Sequence, residues 1–300
     1  MTRFRTYHEV SHDTGSHLLE QVVEQGERLK ARLDRIGTVV AVASGKGGVG
    51  KSAVTANLAA LLAQGGLEVG VVDADLNGPS IGRMLGALGA RLADEPDGIV
   101  PARGAAGVRV ISMELLQDEE DAPLRWREPG GHTYLWQSSV EATALREFLG
   151  DVAWGDLDVL LVDVPPGTDK IRRLLELVPG LGGTLVVTTP SELSRSVVAR
   201  SLRLIHEAEV PVVGLVSNMS GYLCPDCGGL HALFPGTAPE ELAARFEVPI
   251  WGEIPFDPRL GASTDRGMPW VLEDPEGAVA DAFRSVARRV REELLGGRRP

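Results

Sequence analysis

Three hundred residues, 43% of them apolar, suffice for one large α/β domain. The formal net charge of −12, from 30 basic and 42 acidic side chains, argues against a nonspecific nucleic-acid binder, whose affinity rests on neutralising phosphates. No apolar run approaches the about 20 residues a membrane span needs, and the N-terminal MTRFRTYHEVSHDTG lacks the apolar core of a secretory signal, so the chain reads as soluble and cytoplasmic.

Residues 1–36 are polar, with a weak helical pattern over 17–36; they predict a short N-terminal helical extension preceded by disorder, and 37–300 the main domain. Short apolar runs then recur at 38–43, 68–73, 108–112, 158–163, 184–188, 212–217 and 250–254. Near-continuous apolar strands signal a sheet covered on both faces. Helical patterns at 51–64, 138–149, 170–178, 191–208, 238–246 and 276–295 alternate with them. The fold class is therefore α/β, a doubly wound and mostly parallel sheet with ligands at the carboxyl ends of its strands. The Gly-, Pro- and acid-rich stretch 86–131 yields a single strand, 108–112.

The first strand runs into Gly45-Lys46-Gly47-Gly48-Val49-Gly50-Lys51-Ser52. Small residues between a strand and a helix let backbone N–H groups curl around phosphate oxygens, with the helix N-terminus facing the anion. Lys51 is placed to reach the β- and γ-phosphates of a nucleoside triphosphate, and the Ser52 hydroxyl to complete the shell of a Mg²⁺. Lys46 is a second lysine within the loop; its repulsion from Lys51 calls for anionic compensation by nucleotide phosphates.

Further carboxylates stand at strand ends. Asp73 and Asp75 follow the second strand, where two like charges require a cation or a water network; Asp75 is the candidate for orienting the attacking water, with Asp73 supporting the metal. Asp163 closes an apolar run as a Walker B aspartate, to hold a Mg²⁺-bound water. Gly167 offers a backbone N–H to the γ-phosphate, a contact ordered by triphosphate and released on hydrolysis. Asn218 is placed to present its amide to a base edge, and Pro255 to wall the ring.

The only cysteines are Cys224 and Cys227, in Cys-Pro-Asp-Cys, a spacing suited to metal or redox chemistry. A [4Fe–4S] cluster takes four thiolates, and a symmetric dimer would supply the other two. A zinc site completed by His231 and a redox dithiol are the competing readings. The last helix carries Val279, Phe283, Val286, Val290 and Leu294 on one face among Arg284, Arg288, Arg289 and Arg291. Docking on the sheet is the preferred reading over attachment to a membrane surface.

The loop with Lys46 resembles that of the deviant Walker A ATPases, whose signature lysine reaches the partner subunit's nucleotide and so implies a dimer. The phosphate loop, Asp73-Ala-Asp-Leu-Asn-Gly-Pro-Ser80, Asp163-Val-Pro-Pro-Gly-Thr168, Asn218-Met-Ser220 and the cysteine pair occur in the order of the Mrp/Nbp35 family. Ser112-Met113, Trp154 and Ile254-Pro-Phe-Asp-Pro258 extend the similarity over about 37–269. The resemblance implies an iron–sulfur cluster carrier ATPase: a homodimer or related heterodimer that bridges a [4Fe–4S] cluster on its cysteines and passes it to apo iron–sulfur proteins, with slow hydrolysis of ATP. Carried over by position, Lys46, Gly48, Lys51 and Ser52 bind nucleotide, Asp75 and Asp163 serve hydrolysis and metal, and Cys224 and Cys227 hold the cluster. The chain departs from the family pattern at Glu128, at Asp169-Lys170 and at Val197, which bears on how ATP couples to the dimer. The alternative is a ParA/MinD-like partitioning or positioning ATPase, which has no need of the cysteine pair; a third class, a nonhydrolysing module binding ATP and zinc, is opposed by Asp75 and Asp163.

Overall fold

The computed structural model describes residues 18–90, 92–116, 134–207, 209–224, 226–234 and 236–296. The departure at Glu128 and the disorder expected at the start of the chain lie outside the described residues.

The central sheet has nine strands: β1 (Ile36–Ser44), β2 (Val69–Asp73), β5 (Ala102–Arg103), β6 (Arg109–Ile111), β7 (Leu157–Asp163), β8 (Gly183–Thr188), β9 (Val212–Leu223), β10 (Leu230–His231) and β11 (Ile250–Phe256). Their order is β10-β9-β8-β1-β7-β2-β6-β5, with β11 also paired to β9. All neighbours are parallel except β5 on β6 and β10 on β9. The mostly parallel, doubly wound expectation holds. The segment expected to hold one strand holds three two-residue strands besides β6: β3 (Asp94–Glu95) and β4 (Gly98–Ile99), which form a separate hairpin, and β5, which pairs with β6. Strands this short carry no periodicity for a sequence to show.

The apolar runs are used on both faces because side chains alternate along a strand. Val40 and Val42 of β1 enter one core with Val69, Val71, Val159 and Leu161, while Val39, Ala41 and Ala43 enter the other with Val72, Leu160 and Val162. The first core is roofed by α2 (Lys51–Gln64), α9 (Trp270–Glu273) and α10 (Ala278–Arg289). The second is roofed by α1 (Leu18–Leu33), α4 (Tyr134–Gly150), α5 (Thr168–Leu177), α6 (Glu192–Glu207) and α7 (Ala238–Phe246). Two short helices, α3 (Ile81–Met84) and α8 (Pro258–Asp265), complete the set. Helix α2 is apolar nearly all round, as its position between sheet and α10 demands.

The basic terminal helix docks on the sheet. Val279, Phe283, Val286 and Val290 are buried in the first core, whereas Arg284, Arg288 and Arg289 point outward to Asp281, Glu292 and Glu293. Among the described residues no helix is long and apolar enough to cross a membrane.

Close packing beside β11 depends on a missing side chain. A Cβ on Gly214 of β9 would lie 2.5 Å from ring carbons of Trp251 on β11. Gly214→Ala should therefore destabilise the fold by about 1–3 kcal/mol through overpacking. The effect should appear as a lower urea midpoint at unchanged slope; an unchanged midpoint would mean the indole yields without cost.

Candidate functional site

The sheet order sets β2, β7, β1 and β8 side by side, so their carboxyl ends converge. The loop leaving β1 turns through Gly48 and Gly50, with φ of +77° and +79°, values that admit glycine at little cost. Helix α2 begins at Lys51 directly after Gly50. Val49 is buried, Lys46 is half-buried, and the Ser44 hydroxyl donates to the Lys46 carbonyl at 3.0 Å. Gly45 has no room for a side chain: a Cβ there would stand 2.8 Å from the backbone nitrogen of Val198 on α6. Gly47 faces open space.

Asp163 is fully buried at the tip of β7 and collects three α2 side chains. The Lys51 ammonium pairs with Oδ2, the Ser52 hydroxyl donates to the same oxygen at 2.6 Å, and the Thr55 hydroxyl donates to Oδ1 at 2.7 Å. Lysine, serine and Walker B aspartate, 111 residues apart in the chain, thus meet in one cluster. Their oxygens suit a hard cation such as Mg²⁺, which takes carboxylate, hydroxyl and phosphate ligands.

Asp73 lies directly opposite Asp163 on the neighbouring strand. Its Oδ2 accepts from the Ser80 and Ile81 N–H groups at 2.9 and 3.0 Å and from the Ser112 hydroxyl at 3.0 Å, and its Oδ1 accepts from the Asp75 N–H at 3.1 Å. The residue expected to support the metal is thereby engaged in shaping the loop after β2 and starting α3. Burial, followed by the Asp163 charge, pushes its pKa up to about 7, against the opposing hydrogen bonds. Asp75 is half-buried, with Oδ1 accepting from the Gly78 N–H at 3.2 Å. Gly167 stands at the start of α5.

Asn218, expected to offer its amide to a base edge, donates one amide N–H to the Val49 carbonyl of the phosphate loop at 2.8 Å. Strand β9 continues past it, beyond the expected end at 217, through Met219 with φ of +55°, to Leu223. Pro255 is buried in β11. The cysteine loop joins β9 to β10, which pair antiparallel with Tyr222 opposite His231. The Cys224 N–H donates to the Gly229 carbonyl at 3.0 Å, and the Gly228 N–H to the Cys224 carbonyl at 2.8 Å. The backbone N–H groups of Cys227 and Asp226, then the Cys227 thiol, hold the Cys224 thiol below its ordinary pKa. His231 joins both cysteines, with their donor atoms all within 4.8 Å of one another.

Several members of this site escaped sequence reading. Thr55 lies one helical turn beyond Lys51, a signal available in the spacing. Ser112 appeared only as part of the resemblance. The Glu141 carboxylate of α4 receives Asn77 Nδ2 at 2.9 Å, pairs with Lys170 and lies 3.5 Å from Arg173. This connection ties the loop after β2 to the first turn of α5, and nothing in the α4 sequence marks it. The departure at Lys170 is thus matched by an acidic partner; at α6, Val198 next to the divergent Val197 covers Gly45.

A family profile described as ParA, NUBPL iron-transfer P-loop NTPase, matches residues 35–291. An iron–sulfur cluster carrier protein of Saccharolobus solfataricus is 36% identical over 272 residues, 90% of this chain and 88% of that protein. The structure of a nucleotide-binding protein from Archaeoglobus fulgidus, in complex with ADP and with cobalt, superposes with a TM-score of 0.70 at 36% identity, covering 86% of this chain and 96% of that one. The cell division ATPase MinD of Pyrococcus furiosus shares the fold at 24% identity, with a TM-score of 0.59 and coverage of 85% and 99%. The aspartate at the tip of β7, the phosphate loop it braces and the cysteine hairpin beyond it therefore sit in a chain that belongs to the iron-transfer P-loop NTPases of the ParA group.

Proposed function

We propose that the chain is an ATP-dependent carrier that holds a [4Fe–4S] cluster between two copies of itself and delivers it to apo iron–sulfur proteins. The observation that carries this reading is the course of β9. The middle of that strand holds the phosphate loop through Asn218, and its carboxyl end opens into the Cys224–Cys227 hairpin. A positioning ATPase has no use for the second half of that arrangement.

Residues 37–300 form the ATPase unit, with 1–36 appended. Two half-exposed to exposed free thiols per protomer suit a reducing compartment such as the cytoplasm. They provide two of the four thiolates such a cluster needs, so the cargo is completed by a second protomer. In the nucleotide site, ATP phosphates replace Asp163 as the partner of Lys51, and the loop N–H groups take the remaining oxygens. Ser52 and Asp163 are the residues that would hold Mg²⁺, which supplies charge to offset the triphosphate. Asp75 orients a water for attack on the γ-phosphorus; the bond to the β–γ bridging oxygen breaks and ADP leaves. Lys46 reaches the phosphates across the dimer, and the Gly167 N–H meets the γ-phosphate until it departs.

Lys51→Ala should lower ATP turnover by about 10²–10³-fold, the scale seen when one donor to a developing charge is lost; unchanged turnover would discard the site. Cys224→Ser with Cys227→Ser should leave nucleotide binding intact while removing about two irons and two sulfides per chain after anaerobic reconstitution. Iron retained by that variant would place the cluster elsewhere.

Asp73 makes a pH signature. Its folded pKa of about 7 lies above the ordinary 3.8, so the folded chain holds the proton more tightly across that window. Stability therefore declines from this source as pH rises through the window, with no further change above it. Asp163→Asn removes the neighbouring charge and should flatten this decline in urea midpoints measured between about pH 5 and pH 8. Equal slopes in the two proteins would refute the coupling.

A further inference from the structure

We propose that Cys224, Cys227 and His231 form, within a single protomer, a mononuclear site for a zinc-class divalent ion with its fourth position open. This goes beyond the shared cluster: it rests on the geometry of one hairpin and needs no second chain.

The spacing of the donors matches a tetrahedral ion. Bonds of about 2.3 Å to sulfur and about 2.0–2.1 Å to nitrogen set an S and an N ligand about 3.6 Å apart. Cys227 Sγ and His231 Nε2 stand 3.6 Å apart. The third donor, Cys224 Sγ, falls in the same group, with every donor atom within 4.8 Å of the others. Thiolate and imidazole together select zinc-class ions over magnesium or calcium. Three protein donors with one open position make an exchangeable site, whereas a fourth protein ligand would close it.

The hairpin is built to keep the donors together. Gly228 takes the left-handed turn at φ +67°, and the Gly229 N–H points to Cys227 Sγ at 3.4 Å. A Cβ on Gly229 would come 3.3 Å from Cys227 Sγ and 3.4 Å from His231 Nε2, crowding both donors at once. Of the three residues between Cys227 and His231, Gly229 is thus the one whose missing side chain leaves the donor tips free to converge. His231 is carried on β10, whose pairing with β9 fixes it opposite Tyr222, two residues before Cys224.

The consequence is a choice of cargo. The same two thiolates serve either a metal ion held by one protomer with His231 or a cluster shared by two protomers without it. Occupation of the first state withholds the cysteines from the second.

The test titrates the metal-free, reduced full-length protein with Co²⁺ under anaerobic conditions, followed by Zn²⁺ as competitor. One cobalt per chain, with thiolate charge-transfer bands and the ligand-field bands of tetrahedral cobalt, is expected. His231→Ala should weaken cobalt binding at least about tenfold, since even an outer partner of a metal ligand is worth about 10–100-fold. His231→Cys should restore tight tetrahedral binding with added thiolate intensity. One cobalt per two chains, or an unchanged affinity and spectrum in His231→Ala, would overturn the proposal, as would failure of His231→Cys to recover binding. Cluster reconstitution on His231→Ala separates this proposal from the carrier reading. Clusters formed at the wild-type level with mononuclear binding lost support both. Mononuclear binding intact in the wild type with no cluster formed on either protein would retain the three-donor site and remove the carrier.

Discussion

The site depends on a buried carboxylate at the end of β7. Asp163 is wholly withdrawn from water, where an unpaired charge is untenable, and α2 answers with an ammonium and two hydroxyls from three positions within its first turn and a half. Breaking a buried pair of this kind by removing one member costs about 3–5 kcal/mol, because the survivor keeps its charge without compensation. In the proposed nucleotide site, a phosphate that draws Lys51 away leaves Asp163 without its partner, and a hard cation on Ser52 and Asp163 would take that place.

The second carboxylate obeys the same constraint by a different route. Asp73 opposes Asp163 across adjacent parallel strands, so like charges meet in a low-dielectric layer. With the lysine taken by Asp163, Asp73 is left to backbone N–H groups and one serine hydroxyl, and its proton becomes hard to remove. One aspartate is neutralised by charge, the other in part by protonation. The loop carrying Asp75 is folded around that second carboxylate, so the residue proposed to orient water inherits its position from Asp73.

Much of this was legible in the chain. Residues 45–52 announce themselves because the entire phosphate loop is contiguous, and α2 and α7 span 51–64 and 238–246 as expected. The strands were visible because a sheet covered on both faces leaves unbroken apolar runs. What escaped was contact at long range. Asn218 marked itself as special at a strand tip, but its partner is Val49, 169 residues away, and no local pattern encodes that meeting. Glu141 looks like any helical surface acid until the fold brings Lys170 and Asn77 to it. Asp73 and Asp163 have the same local signature, an acid closing an apolar strand; only the direction from which donors arrive makes them different.

In the proposed carrier, strand β9 is the link between nucleotide and cargo. From Asn218 to Cys224 the chain runs six residues, about 20 Å if fully extended. Within that span Met219 holds φ at +55°, a conformation a side chain makes costly, and the pairing with β11 shifts register between Ile254 and Phe256. The strand is thus anchored to the phosphate loop, kinked immediately afterward, and paired again at Tyr222 with both β10 and β11 before it releases the cysteines. One continuous strand, paired on both sides of its bend, joins the Val49 turn to the cysteine hairpin, and in the proposed carrier that strand is the path by which ATP turnover would act on thiolates that lie outside the nucleotide pocket.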